Sequence, residues 1–184
     1  MEGIPACMTA NEYLHFNTGD RPTELVRGQV HYYDFPEQAH GMVCAQILRH
    51  VYEHSESRDL GHLLCNNAGY IAGRNPDTVR GPDVSFFGYD QLPKGQLKWE
   101  FAPMAPHIAF EVIAFNEPPT RISEQVADHL AAGCNAVCVF HPHRETIQVF
   151  RPESERQTLS GDMELTLSDV LGPDFSVPAK KFFP

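Results

Sequence analysis

The most regular pattern in the chain lies between residues 37 and 57, where Val43, Ile47 and Val51 recur at intervals of four. Apolar residues at this spacing share one face of an α-helix, so the segment is predicted to be a long helix with that face in a core. A second helix is predicted over about residues 120–132. Such helices need a further layer of structure to cover their apolar faces.

Capping residues support these helices and predict a third. Thr9 and Glu12 have the spacing of a capping box, which predicts a short helix over residues 9–14. Gly133 directly follows the second long helix, and glycine suits the left-handed conformation in which many helices end.

Short apolar segments bounded by glycine, proline and asparagine predict β-strands. The predicted segments are residues 24–26, 30–33, 61–73, 83–87, 107–113, 136–140 and 146–150. The first pair turns at Arg27-Gly28 and the last pair at residues 141–145, so each pair predicts a hairpin, while residues 88–105 predict a long loop. This order predicts one domain over residues 1–184, of the α/β (α+β) class, in which a mixed sheet is flanked by helices and preceded by an N-terminal helix and β-hairpin.

Composition and charge narrow the possible functions. A chain of 184 residues that is 42% hydrophobic can build one sizeable core. It has no long apolar run and no basic leader, which predicts a cytoplasmic protein without a membrane segment. The five cysteines include no C-x-x-C pair and are expected to be reduced.

A net charge of −10, from 14 basic and 24 acidic residues, disfavours tight nonspecific DNA binding by a monomer. A local basic patch, a groove built by a dimer or a bound divalent cation would be needed for a phosphodiester to approach.

One carboxylate stands inside an otherwise apolar strand. Glu111 is costly to bury in residues 108–113 unless it is paired or binds a cation. Asp83 begins another apolar strand, after a Gly81-Pro82 turn. If the two strands are neighbours, both carboxylates can bind one divalent cation, and Mg²⁺ or Mn²⁺ suits such oxygen ligands better than Zn²⁺ does.

A purely structural interpretation stays open beside the metal site. Asp83 would then only cap a turn, and Glu111 would pair with an arginine such as Arg80 or Arg121.

Several weak motifs together are similar to a known family. They are residues 9–14, 24–29, His40 at the start of the long helix, 80–83, 111–113 and 131–133, in that order. In order and spacing they resemble the Uma-two family of restriction endonucleases, and the match runs along nearly the whole chain. The resemblance implies a restriction-endonuclease-like PD-(D/E)XK nuclease fold and metal ligands that carry over to Asp83 and Glu111.

The chain also departs from the family pattern. The lysine expected two residues after the second acid is replaced by Ile113, and the helix position from which the family supplies a lysine is Gln125. Glutamine can hydrogen-bond a water but brings no positive charge. Arg121 lies one helical turn earlier and is a candidate to replace the lysine.

Two histidines are further candidates near the carboxylates. His40 is a candidate proton-transfer group, with helix capping or packing as the alternative. By the period-two rule His107 lies on the same strand face as Glu111, which makes it a candidate third ligand or hydrogen-bond partner.

Three functions therefore remain. The first is a divalent-metal-dependent DNA endonuclease, with a homodimer as the expected assembly. The second is a catalytically decayed homodimeric binding or scaffold module that keeps the fold, suggested by Gln125, Gln29 and the acidic charge. The third is a metal-dependent hydrolase of a small phosphorylated substrate, against which the lack of a glycine-rich phosphate loop counts.

Overall fold

The computed structural model describes residues 7–19 and 21–184. The helices are α1 (Ala10–Leu14), α2 (Gln38–Ser57), α3 (Pro119–Ala132) and α4 (Ser168–Leu171), with 3₁₀ turns at Pro142–Arg144 and Ala179–Phe182. The strands are β1 (Thr23–Val26), β2 (Gln29–Tyr32), β3 (Gly61–Cys65), β4 (Tyr70–Gly73), β5 (Thr78–Arg80), β6 (Val84–Gly88), β7 (Ile108–Val112), β8 (Ala136–His141), β9 (Thr146–Phe150), β10 (Gln157–Ser160), β11 (Glu164–Thr166) and β12 (Ser176–Pro178). In the described part of the chain, no helix has the length and apolar character needed to cross a membrane.

Six strands form the main sheet in the order β10-β9-β8-β7-β6-β3. Strands β7 and β8 are parallel and all other neighbours are antiparallel, so the predicted mixed sheet is confirmed. A parallel pair needs a crossover connection, and α3 supplies it.

The two long helices cover opposite faces of this sheet. The apolar face of α2 packs in one core cluster with Phe86 and Phe110. Helix α3 packs in another cluster with Phe87 and Ala109. Because successive strand residues point to opposite faces, these neighbours in sequence belong to different layers. Helix α3 ends at Gly133, whose φ of 110° places it in the left-handed region, as predicted.

A second, four-stranded sheet has the order β2-β1-β5-β4 and carries the N-terminal helix. The predicted capping box is present, since the Thr9 hydroxyl accepts a hydrogen bond from the Glu12 N–H and the Glu12 carboxylate accepts one from the Thr9 N–H. The hairpin turns at Arg27-Gly28, where both residues have positive φ, as two-residue hairpin loops favour.

The apolar stretch at residues 61–73 forms two strands in different sheets. Strand β3 joins the main sheet and β4 joins the second one. Asn66 and Asn67 separate them, both with positive φ, a conformation that asparagine tolerates better than most residues. The C-terminal part adds β10, β11, α4 and β12, none of which the sequence pattern predicted.

A candidate metal centre in a cleft

Strands β6 and β7 bring the two predicted carboxylates together. Val84 is paired with Phe110, so continuing the antiparallel register by one residue places Asp83 opposite Glu111. The Oδ2 atom of Asp83 also accepts a hydrogen bond from the Val112 N–H at 2.8 Å. The side chain of Asp83 is therefore held at the junction of the two strands.

Both carboxylates line a cleft of about 420 Å³. His40, Arg121 and Gln125 line the same cleft, so five residues that the sequence singled out meet in one place. Two helices on opposite faces of the sheet contribute these three side chains, His40 from α2 and the others from α3.

Glu111 is buried, and within the described part of the chain its side chain has one hydrogen-bond partner, an uncharged histidine. Its exposed fraction is 4%, and its Oε1 lies 2.6 Å from Nε2 of His129. Burial raises the pKa of Glu111 well above its ordinary value, and the negative charge of Asp83 raises it further. Burial also lowers the pKa of His129 to about 3, so its imidazole is neutral at ordinary pH. The structure therefore pairs Glu111 with a histidine from α3 and with neither Arg80 nor Arg121, which corrects that structural alternative.

A tyrosine extends this pair into a buried chain of three side chains. The Tyr70 hydroxyl lies 2.6 Å from Nδ1 of His129. A neutral imidazole has one donor and one acceptor nitrogen. When Glu111 is ionised, Nε2–H of His129 donates to the carboxylate and Nδ1 accepts from the Tyr70 hydroxyl. The same three side chains can therefore accommodate the ionised carboxylate that a metal ligand requires, as well as the protonated form that the raised pKa of Glu111 favours.

Sequence analysis missed His129, although the helix pattern contains a signal. His129 lies four residues after Gln125 and seven after Ile122, and all three are buried on one face of α3. Two polar residues on the buried face of a helix are an indication of a site beneath it. Tyr70 offered no comparable signal.

His40 contacts Asp83 from the first turn of α2. Its Nε2 lies 3.2 Å from Oδ2 of Asp83. Burial lowers the pKa of His40, but the hydrogen bond to Asp83 and the charges of Asp83, Glu37 and Glu117 outweigh it and raise that pKa above the ordinary value. His40 is thus placed to hold the Asp83 carboxylate in position.

Cys44 stands one helical turn after His40, and its Sγ lies 3.5 Å from Nδ1 of that histidine. Burial and the charge of Asp83 raise the pKa of the Cys44 thiol. One potential ligand atom from each of His40, Cys44 and Asp83 lies within 4.8 Å of the others. Sequence analysis considered the cysteines only as reduced residues and assigned Cys44 no part in a site.

Both α3 residues keep one buried polar atom without a hydrogen-bond partner among the described residues, Nε in Arg121 and Oε1 in Gln125. Arg121 is bound to Glu117 through Nη1 at 3.0 Å and lies over the Tyr33 ring, with Cζ 3.3 Å from the ring centroid. Gln125 is 3% exposed, and its Oε1 has no hydrogen-bond partner among the described residues. A buried acceptor without a partner is unfavourable. Such an oxygen in a cleft beside two carboxylates fits the place of a water molecule bound to a metal ion.

Arg80 completes a separate ion-pair network at the cleft wall. It is buried and binds Glu24 at 2.7 Å and Asp128 at 2.6 Å. Glu24 also accepts a hydrogen bond from the Gly81 N–H at 3.1 Å. The network therefore fixes the turn that leads into Asp83.

His107 is the one predicted site residue that the structure does not bring to the cleft. Its Nδ1 accepts a hydrogen bond from the Gly88 N–H at 3.0 Å, and its Nε2 faces Asp90 at 3.4 Å. The period-two rule predicts a shared face with Glu111, but four residues along a strand are about 13 Å. His107 consequently caps the far end of the β6–β7 pair.

The chain belongs to the Uma2 family, whose model matches residues 10–180 and is described as "Putative restriction endonuclease". This confirms the resemblance inferred from the motifs. Among solved structures, the chain is similar to a putative nuclease belonging to DUF820 from Anabaena variabilis ATCC 29413. That match has a TM-score of 0.84 at 16% identity and covers 95% of this chain and 97% of the other. It shows a shared fold. A search of curated proteins finds no match.

Proposed function

We propose that this protein is a divalent-metal-dependent DNA endonuclease in which Asp83 and Glu111 bind Mg²⁺ or Mn²⁺. The observation that carries the proposal is the meeting of these two carboxylates in the cleft, where neither is paired with a lysine or arginine from residues 7–19 or 21–184. Two oxygen ligands suit a hard divalent cation. When bound, such an ion polarises a phosphoryl oxygen and lowers the pKa of a bound water.

The other cleft residues take supporting roles in this proposal. The free Oε1 of Gln125 accepts a hydrogen bond from the attacking water and orients it. Arg121 supplies the positive charge that the family pattern otherwise takes from a lysine. His40 positions Asp83 through their 3.2 Å contact.

The acidic charge of the protein constrains how DNA would reach the site. Five acids line the cleft, namely Glu24, Asp34, Asp83, Glu111 and Glu117. Of these, Glu24 and Glu117 are already paired with arginines. Because unneutralised carboxylates repel a phosphodiester, we expect the divalent cation to be required for DNA binding as well as for cleavage. A homodimer would enlarge the binding groove, and it belongs to the proposal together with a cytoplasmic location.

A second candidate is a catalytically decayed homodimeric module that retains the fold. One observation favours it, since no lysine occurs among the described residues that line the cleft. Arg121 is partly committed to Glu117 and Tyr33. Such a module would bind metal or DNA without cutting.

The proposal is tested with supercoiled plasmid, Mg²⁺ or Mn²⁺, and an EDTA control. We expect wild-type protein to nick the plasmid and Asp83→Ala to lose on the order of a hundred- to a thousand-fold in rate. Asp174→Ala is the matched control, because Asp174 is an exposed acid that lies outside the cleft and forms a 3.7 Å ion pair with Arg58. Equal nicking by wild type and Asp83→Ala would contradict the proposal.

Calorimetric titration with Mn²⁺ separates the two candidates. Metal binding that Asp83→Ala abolishes, without any nicking by wild-type protein, would favour the decayed module. A wild-type protein that binds no Mn²⁺ at millimolar concentration would overturn the proposed metal mechanism.

A further inference from the structure

Three side chains of different chemistry meet where α2 begins. His40 and Cys44 are four residues apart on α2 and therefore share a face of that helix. Asp83 approaches the same point from the start of β6, and the three potential ligand atoms lie within 4.8 Å of one another. Among the described residues, this is the only group of three or more such side chains that meets this spacing.

The ligand set differs from the one proposed for Mg²⁺ or Mn²⁺. Imidazole nitrogen and thiolate sulfur are ligands that Zn²⁺ favours, whereas Mg²⁺ takes oxygen ligands. Zinc sites with three protein ligands commonly leave a fourth position to water. A thiol that coordinates such an ion releases its proton to solvent on binding.

The three potential ligand atoms, which lie within 4.8 Å of one another, would have to move closer together to hold a zinc ion. With bonds of about 2.0–2.3 Å in a tetrahedral arrangement, neighbouring ligand atoms are about 3.3–3.7 Å apart. The His40–Cys44 contact is 3.5 Å and the His40–Asp83 contact is 3.2 Å. These two contacts use opposite ring nitrogens, so binding requires a rotation of the imidazole that directs one nitrogen to the ion.

We propose that His40, Cys44 and Asp83 form a second metal site that takes Zn²⁺ and that competes with the Asp83–Glu111 site for the Asp83 carboxylate. An ion held by the thiolate and imidazole draws Asp83 toward α2 and away from Glu111. Inhibition of DNA cleavage by Zn²⁺ rests on the proposed nuclease function, whereas the binding of Zn²⁺ does not.

Binding is tested first and without any activity, by titrating the full chain, kept reduced, with Co²⁺ as a spectroscopic substitute for Zn²⁺. We expect a near-ultraviolet thiolate-to-Co²⁺ absorption band that added Zn²⁺ abolishes. Cys44→Ser and Cys44→Ala should lack the band, and His40→Gln should bind Co²⁺ at least tenfold more weakly. Circular dichroism shows which variants are folded. Two different substitutions of Cys44 are used so that the test still holds if one of these variants misfolds.

Cys65 provides a matched control, because this free thiol lines the same cleft but is not a member of the cluster. Cys65→Ser should keep the band. A wild-type chain without a band, or a band that persists in both folded Cys44 variants, would overturn the proposal. Loss of the band in Cys65→Ser together with its retention in Cys44→Ser would overturn it as well.

The second measurement concerns competition in the plasmid assay with Mn²⁺. Added Zn²⁺ should lower the nicking rate of wild-type protein at least tenfold and leave the rate of Cys44→Ser nearly unchanged. Equal inhibition of both proteins would overturn the competition. If wild-type protein does not nick at all, the nuclease proposal fails, while the Co²⁺ titration still decides whether the second site exists.

Discussion

Arg80 and Glu111 are both ionisable groups buried beside one cleft, but their hydrogen-bond and ion-pair partners differ. Arg80 has two acidic partners, Glu24 and Asp128, at 2.7 and 2.6 Å. Glu111 has the neutral imidazole of His129 on one side and the negative charge of Asp83 nearby. The Arg80 cluster is complete, with both of its acids paired to one cation, whereas Glu111 has no lysine or arginine partner among the described residues and belongs to an incomplete cluster.

This difference separates a structural ion-pair network from a candidate functional site. Buried charges are tolerated when paired, and a buried carboxylate without a cationic partner raises the free energy of the folded state. Proteins keep such unfavourable arrangements mainly where a ligand completes them. Substitution of Arg80 should therefore lower the free energy of unfolding, whereas metal bound beside Glu111 should raise it.

The largest effect is expected from replacing Arg80, the positively charged residue of the complete cluster. Arg80→Met leaves Glu24 and Asp128 without their common partner, and the free energy of unfolding should fall by about 3–5 kcal/mol. Urea denaturation measures this change. Arg49→Met is the control, because Arg49 forms an exposed helical pair with Glu53 and should lose less than about 1 kcal/mol. Similar losses in both variants would contradict the distinction between the clusters.

Metal should stabilise the incomplete cluster. At a Mn²⁺ concentration about 100 times its Kd, the free energy of unfolding of wild-type protein should rise by about 2.7 kcal/mol. Glu111→Gln should gain almost nothing, because it lacks one of the two carboxylate ligands. Thermal unfolding with and without Mn²⁺ tests this, and Asp162→Asn, an exposed acid paired with Lys180, should behave like wild type.

Without metal, Glu111→Gln should make the free energy of unfolding less sensitive to pH. The pKa of Glu111 is raised in the folded state, so its contribution to stability is present below the ordinary value of 4.5 and is lost as pH rises through the folded-state pKa. His129 stays neutral over this range, because burial lowers its pKa to about 3. In EDTA, the stability of Glu111→Gln relative to wild type should therefore increase with pH, by at most about 1.4 kcal/mol per unit for one proton.

Denaturation curves at several pH values measure this difference. A constant gap between the two proteins from acidic to alkaline pH would show that Glu111 has an ordinary pKa in the folded state.

The smallest effect is expected from Tyr70, which contacts Glu111 only through His129. Tyr70→Phe removes the hydroxyl bound to Nδ1 of His129 and should cost about 1 kcal/mol of unfolding free energy. It should also weaken Mn²⁺ binding, because His129 then orients Glu111 less well. Tyr52→Phe, on the exposed side of α2, serves as the control and should change neither quantity. An unchanged Mn²⁺ affinity in Tyr70→Phe would show that the hydrogen bond between Tyr70 and His129 has only a structural role.

Local patterns predicted much of the fold. The four-residue spacing of Val43, Ile47 and Val51 predicted α2, and Gly133 marked the end of α3. Arg27 and Gly28 marked the first hairpin turn. These features depend on residues close together in the chain, which is why periodicity and turn chemistry reveal them. The C-terminal strands lacked such signals, and the 61–73 stretch could not show where one strand ends and another begins.

The candidate site was predictable as a set of individual residues but not as a set of contacts. A single acid in an apolar strand singled out Glu111, and a turn before another apolar strand singled out Asp83, so the sequence by itself identified both acids, while their metal binding stays a prediction. Tertiary structure decided their partners. His129 contacts Glu111 from 18 positions away, Tyr70 in turn contacts His129, and Cys44 lies near Asp83 from 39 positions away. His107, by contrast, lies just before the strand that contains Glu111 and is too far from that residue to join the cleft. Strand and helix periods specify the direction of a side chain, but which residues meet depends on the packing of α2 and α3 against the two faces of the sheet.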